Sequence, residues 1–236
     1  MVAREPLDVE EWIGKRTVPR ELFNPYRLGR ADYGFRLLKH GKLRGHSHTG
    51  EYGVLKEIFR RLGVTAGICC EFGASNGMAT SNTYDLIESH NWLGVMMETN
   101  ALSYNALSAL GRRLPRIRAF NETIHYLPGK GTLLDDFLQS IEMPRGFDLL
   151  SIDIDSCDYH VWKSLKNYKP KVVVIEVNNL DLDVIQREGV SHKHLGGSTC
   201  FPPMKKLGEE KGYTLVAYTM NMIFLRNDLV EKVRPQ

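Results

Sequence analysis

Short apolar runs alternate with amphipathic stretches through most of this chain, which predicts an α/β protein built on a doubly wound, largely parallel sheet. Two further observations point the same way. Runs such as WLGVMM at 92–97 and KVVVIEV at 171–177 are apolar enough to be covered on both faces. The first run, at 66–82 (AGICCEFGASNGMATSN), ends in an acidic residue and a glycine-rich turn, where such a sheet receives a small molecule beyond the carboxyl ends of its strands.

The chain has 236 residues, 42% hydrophobic and 25% charged, enough for one substantial domain at 46–236 and an N-terminal helical extension at 1–45 that packs on or caps the site. The formal charge of +3 is small and its lysines and arginines are interleaved with acids, so nucleic acid is not an expected partner. Cys69, Cys70, Cys157 and Cys200 lack metal-ligand spacing and read as reduced thiols of a cytoplasmic protein. The first twelve residues lack the apolar core of a signal peptide, and no run approaches the ~20 apolar residues of a membrane span. Oligomeric state leaves no mark in the sequence.

Taken in order, Leu55, Ile58, Phe59 and Leu62 recur at helical spacing within 49–62, with Lys56, Glu57, Arg60 and Arg61 opposite and Gly63 as the stop. After the first strand, 78–90 reads as a helix with Leu86 and Ile87 inward. Residues 92–97 form a second strand before Glu98, 101–114 a helix stopped by Pro115, and 116–120 a third strand. Thr132 with Asp135 makes a capping box for a helix carrying Leu134, Phe137, Leu138 and Ile141. Residues 147–152 are a fourth strand, 158–168 a helix and 171–177 a fifth strand. The polar stretch 180–200 reads as a functional loop, a short helix starts near Pro202, and 213–219 with 222–226 form a terminal hairpin around Met220 and Asn221.

Right-handed crossovers bring the ends of the first four strands to one edge, so Glu71, Glu98, Asn121, Glu122 and Asp153 become neighbours. Glu98 stands where a carboxylate accepts hydrogen bonds from ribose hydroxyls. A nicotinamide dinucleotide fingerprint fails, because G-x-G-x-x-G would need glycine at 73, 75 and 78 and the chain has Gly73, Ser75 and Met78. Asp153, Asp155, Asp158, Glu176 and Asn178 supply oxygen ligands at adjacent strand ends, a set that suits Mg²⁺ or Mn²⁺; helix capping by Asp158 and plain hydrogen bonding by Asn178 are the alternatives. His46, His48, His192 and His194 are more ordinary as solvated or packing residues than as bases. Tyr159 and Trp162 read first as core or rim.

These segments together resemble class I S-adenosylmethionine-dependent methyltransferases, and within them the FkbM-like group. The resemblance is carried by CEFGASNG, VMMETN, DLLSIDIDSCDYHVWKSL and VVVIEVN, with SHTGEYGVLKEIF before and KGYTLV and MIFLRNDL after, over about residues 46–229. Ser75 replaces a common glycine, and Asp155 and Ser156 stand where the FkbM-like pattern D-x-E-G has glutamate and glycine. The resemblance implies a Rossmann-like, seven-stranded doubly wound sheet with a terminal antiparallel hairpin. It further implies that Glu71, Gly73, Ala74, Ser75 and Gly77 surround the methionine part of S-adenosylmethionine, with Ser81 and Asn82 nearby. Glu98 would hold the ribose, Thr99, Asn121 and Glu122 would border the adenine, and Asp153 would face the amino group or the acceptor. The expected reaction is O-methylation of a sugar, glycan or glycosylated metabolite, with Asp153 and Asp155 as catalytic residues and Asp153, Glu176 and Asn178 as the metal set. N-methylation of another small molecule and a non-catalytic cofactor-binding module are the competing expectations.

Overall fold

The computed structural model describes residues 45–155, 157–177, 201–219 and 221–233. The expected extension at 1–45 lies almost wholly outside these, as do the expected loop at 180–200, Ser156, Asn178, His192, His194 and Met220. Helix α1 (Glu51–Arg61) leads into β1 (Ile68–Phe72), α2 (Tyr84–His90), β2 (Leu93–Met97), α3 (Ala101–Arg113) and β3 (Ile117–Phe120). Two short strands, β4 (Ile124–His125) and β5 (Thr132–Leu133), precede α4 (Leu134–Ser140), β6 (Leu149–Ile152), α5 (Asp158–Ser164) and β7 (Val172–Glu176). Helix α6 (Phe201–Glu210), strands β8 (Tyr213–Tyr218) and β9 (Asn221–Arg226), a 3₁₀ turn and α7 (Val230–Val233) complete the order.

Seven strands form one sheet in the order β3-β2-β1-β6-β7-β9-β8. The first five are parallel; β9 runs antiparallel to β7, and β8 antiparallel to β9. This is the Rossmann-like, doubly wound sheet with a terminal antiparallel hairpin expected from the sequence. The order reverses between β1 and β6, the switch point where such sheets open a crevice.

Each sheet face carries a helical layer. Cys70, Phe72, Leu150, Ile152, Val173 and Ile175 face α4, α5 and α6 through Phe137, Leu138, Val161, Trp162 and Met204. Residues of opposite parity, such as Cys69, Leu149, Val172 and Val174, face α1, α2, α3 and α7 through Leu55, Ile58, Ile87, Leu107 and Val233. Trp162 is fully buried against Tyr213 and Phe224, as expected of a core residue. No described helix is long and apolar enough to cross a membrane.

Three sequence expectations need correction. The helix expected at 78–90 begins only at Tyr84, with Thr83 as its N-cap, because Ser81, Asn82 and Thr83 are drawn onto Glu71. The capping box at Thr132 does not form: Thr132 is extended in β5, paired with Ile124, and α4 has no side-chain cap. Asp135 instead accepts from the backbone N–H groups of Lys166 and Asn167 and so fastens the end of α5's segment. That segment is also shorter than expected, since α5 ends at Ser164 and Leu165 is extended.

Gly73 marks the closest approach of the β1 and β6 connections. Its φ is +77°, and a Cβ there would run into the carbonyl oxygen of Asp153. Replacement by alanine combines a left-handed backbone with a clash against main chain, which cannot swing aside. Gly73→Ala is therefore expected to lose about 2–4 kcal/mol of stability, read as a lowered urea midpoint with an unchanged slope.

Candidate functional site

The crevice is lined by the connections that leave β1, β2, β3 and β6. At its base Glu71 is 3% exposed and its carboxylate accepts four hydrogen bonds, from Ser81 Oγ (2.6 Å), Thr83 Oγ1 (2.7 Å), the Asn82 N–H (2.8 Å) and Ser151 Oγ (3.3 Å). Burial pushes its pKa up and these donors pull it back. The acid thus anchors the loop that delays α2. Asn82, also buried, donates from Nδ2 to Ser151 Oγ at 3.1 Å, while its Oδ1 is buried without a partner.

Between β1 and β2 the wall is made by backbone held on Glu98. Ala74 N–H donates to the Met97 carbonyl (3.0 Å), closing the first turn against the end of β2. Half-buried Glu98 then accepts from the Ser75 N–H through Oε2 (2.8 Å) and from the Asn100 N–H through Oε1 (2.7 Å). Ser75 takes a φ of +49°, and Gly77, at +83°, leaves room for Leu107 and Leu110 of α3. Asn121 Nδ2 donates to the carbonyls of Glu98 (2.7 Å) and Thr99 (3.2 Å), so the β3 connection is tied to the same rim; Glu122 comes next in the chain, half-buried. The structure therefore brings Gly73, Ala74, Ser75, Gly77, Glu98, Thr99 and Asn121 to one edge. Glu71, Ser81 and Asn82 lie behind that edge, bonded mainly to one another.

The other half of the crevice is acidic. Asp153, directly after β6, shares the sheet-face parity of Ser151 and lies near Asp158, Asp155, Glu71 and Glu51. Burial first, and then those four acids, push its pKa up to about 7. Asp155 is exposed with a φ of +52°, and Asp158 is buried, accepting from the Ile154 N–H at 3.0 Å. Asp153, Asp155 and Glu176 each offer a carboxylate oxygen within 4.8 Å of the others. Of the expected metal set, Asp153 and Glu176 thus come together, and Asp155 joins them.

Sequence reasoning missed Glu51 and Asn221. Glu51, fully buried in the first turn of α1, accepts from Thr49 Oγ1 and Thr219 Oγ1 (2.6 Å each), the Thr49 N–H (2.9 Å) and Asn221 Nδ2 (3.2 Å). It joins α1 to the turn between β8 and β9. A glutamate on the apolar side of the 49–62 helix was the available signal. His46 is bound through Nδ1 to Asp85 (2.9 Å) and packs edge-on against Tyr84, a fastening role, and His48 is exposed.

No protein-family profile matches the chain, and no curated protein matches it. Solved structures resemble it at low identity. One is a Galdieria sulphuraria protein assigned as a sarcosine dimethylglycine methyltransferase (11% identity, 77% of this chain and 89% of that one, TM-score 0.47). Another is the CMeT domain of the citrinin polyketide synthase (11%, 77% and 54%, 0.48), and a third a Staphylococcus aureus protein assigned as a caffeoyl-CoA O-methyltransferase (12%, 80% and 88%, 0.45). None of them assigns the chain to a family, and the FkbM-like resemblance has no counterpart among them.

The raised pKa of Asp153 has a consequence for stability. An acid whose folded pKa lies above its unfolded value near 3.8 leaves the folded state holding the extra proton, so stability falls as pH rises from about 4 to about 7. Asp153→Asn removes this penalty. After discounting for partial solvent screening, the gain is about 1–2 kcal/mol above pH 7, or about 2–6 °C in Tm, and it disappears near pH 4. Melting curves at pH 4 and pH 8 without divalent cations check it.

Proposed function

We propose that this chain is an S-adenosylmethionine-dependent methyltransferase that methylates a hydroxyl of a small-molecule or glycan acceptor. One observation carries the reading: the crevice at the switch point is walled by carboxylates, and the turn after β1 does not run straight into a helix. Dinucleotides and nucleotide phosphates need an N-terminal helix turn and positive potential; here α2 starts at Tyr84, beyond a loop tied to Glu71, and the charges that bear most on Asp153 among the described residues are those of Asp158, Asp155, Glu71 and Glu51. Such a crevice favours a cationic nucleoside. S-adenosylmethionine supplies an electrophilic methyl on a sulfonium and also carries an ammonium group.

The residues present fit that ligand. Glu98 retains acceptor capacity beyond the two backbone bonds that aim it, enough for ribose hydroxyls. The left-handed turn at Gly73 and Ser75 lets main chain approach the methionine part, and Asn82 Oδ1, buried without a donor, suits the ammonium. Thr99, Asn121 and Glu122 would border the adenine. Glu71 and Ser81 shape this half from behind.

In the reaction the acceptor oxygen bonds to the methyl carbon as the carbon–sulfur bond breaks, and the hydroxyl proton leaves to a base. Asp153, held near neutrality, is placed to take that proton, with Asp155 beside it. Alignment of the two reactants supplies much of the rate. A sugar as acceptor rests on the FkbM-like resemblance alone. The negative potential also attracts amines, which favours N-methylation as the second reading. The thiols of Cys69 and Cys70, which form no disulfide, suit a cytoplasmic setting.

Calorimetry with S-adenosylhomocysteine tests the cofactor. The wild-type chain is expected to bind it and Glu98→Ala to bind it about 10–100-fold more weakly, the loss of charge-assisted hydrogen bonds. No binding by the wild type refutes the reading. A radiolabelled methyl donor offered with panels of sugars, other alcohols and amines then separates O- from N-methylation, and cofactor binding with no labelled product points to a binding module.

A further inference from the structure

The β6–β7–β9 side of the crevice holds more acid than one proton acceptor requires. Carboxylate oxygens of Asp153, Asp155 and Glu176 lie within 4.8 Å of one another. That separation is what ligands around a single cation adopt when each is 2.0–2.6 Å from it. Acidic clusters are common on proteins, and this one gains meaning from Asn221.

Asn221 is 4% exposed and sits directly opposite Glu176 in the antiparallel β7–β9 ladder, so the two side chains leave the same face of the sheet. Its amide orientation is decided by Glu51: Nδ2 donates to Glu51 Oε1, and the reverse orientation would set a carbonyl oxygen against a carboxylate. Oδ1 is therefore turned away from Glu51, and it is buried with no hydrogen-bond partner. A buried amide oxygen without a donor costs ~1–3 kcal/mol, and proteins rarely leave one so.

We propose that Asp153, Asp155, Glu176 and Asn221 Oδ1 together bind one divalent cation of the Mg²⁺ or Mn²⁺ class. An all-oxygen donor set of three carboxylates and one amide selects hard cations over zinc or copper. The site deepens the methyl-transfer reading and rests on the same crevice, on the side of Asp153 away from Glu98. Asp155 and Asn221 join Asp153 and Glu176 of the expected set, and Asn178 lies outside the described residues. With the cation bound, Asp153 would serve as a ligand, and the cation would lower the pKa of an acceptor hydroxyl.

The test is Mn²⁺ titration of the EDTA-treated full chain, monitored by the electron paramagnetic resonance of free Mn²⁺, with Mg²⁺ as competitor. One saturable Mn²⁺ per chain is expected, displaced by Mg²⁺. Asp155→Asn and Glu176→Gln should each weaken it at least tenfold. Asp155 is exposed and asparagine tolerates its left-handed φ, so Asp155→Asn is expected to melt as the wild type does without metal and to lose the Mn²⁺-induced rise in Tm. Absence of saturable binding, or wild-type affinity in the double variant, overturns the site. S-adenosylhomocysteine affinity measured in EDTA on the same samples separates the two claims: binding of it without Mn²⁺ refutes only the cation site, and Mn²⁺ binding without it refutes only the cofactor reading.

Discussion

The buried carboxylate of Glu71 is the constraint on which the crevice depends. A charge placed at the end of a central strand and almost closed to water must be satisfied by its own chain, and four donors meet it. Three come from Ser81, Asn82 and Thr83, so these residues cannot join a helix, and α2 is postponed to Tyr84. The space a helix would have filled is left to a loop that departs over Gly73. Gly73 in turn rests on the Asp153 carbonyl, which sets the distance between the β1 and β6 connections. Loss of the Glu71 contacts would therefore alter the crevice mouth as well as its floor.

The second consequence is electrostatic. Parity along the strands puts Glu71, Ser151, Asp153, Glu176 and Asn221 on the α1 face, at the strand ends where the apolar layer gives way to the crevice. Glu51 closes this polar layer from the helix side. Donors of the layer are spent on Glu71 and Glu51, leaving Asp153 among acids and two amide oxygens, of Asn82 and Asn221, with none. Its two halves differ in kind. The Glu98 half is organised by backbone N–H groups, and the Glu176 half by carboxylates.

Most of the fold was legible because it rests on local patterns. Short continuous apolar runs and helical spacing at Leu55, Ile58 and Phe59 set out β1, β2, β6, β7 and α1, and Gly63 closes α1 with a φ of +70°. The placement of Glu98 just beyond β2 was legible for the same reason. What was not legible depends on contacts between distant residues. Thr132 looked like a cap and pairs with Ile124; 78–83 looked helical and answers to Glu71; Glu51, which the sequence reading passed over, reaches residues about 170 positions away. Of these, only Glu51 leaves a local mark, as an acid on the apolar side of its helix.

Glu51 also explains why the two halves of the crevice are mechanically connected. Its carboxylate holds Thr219 and Asn221 at the β8–β9 turn and Thr49 at the entrance to α1, so the position of Asn221 is set by α1 as much as by the ladder with β7. The segment that enters α1 is itself fastened to the loop after β1 and to α2: Ser47 bridges to Thr80, and His46 binds Asp85 of α2. Contacts thus run from Thr80 through Ser47 to the Tyr52 N–H in the first turn of α1, and Glu51 beside it holds Asn221.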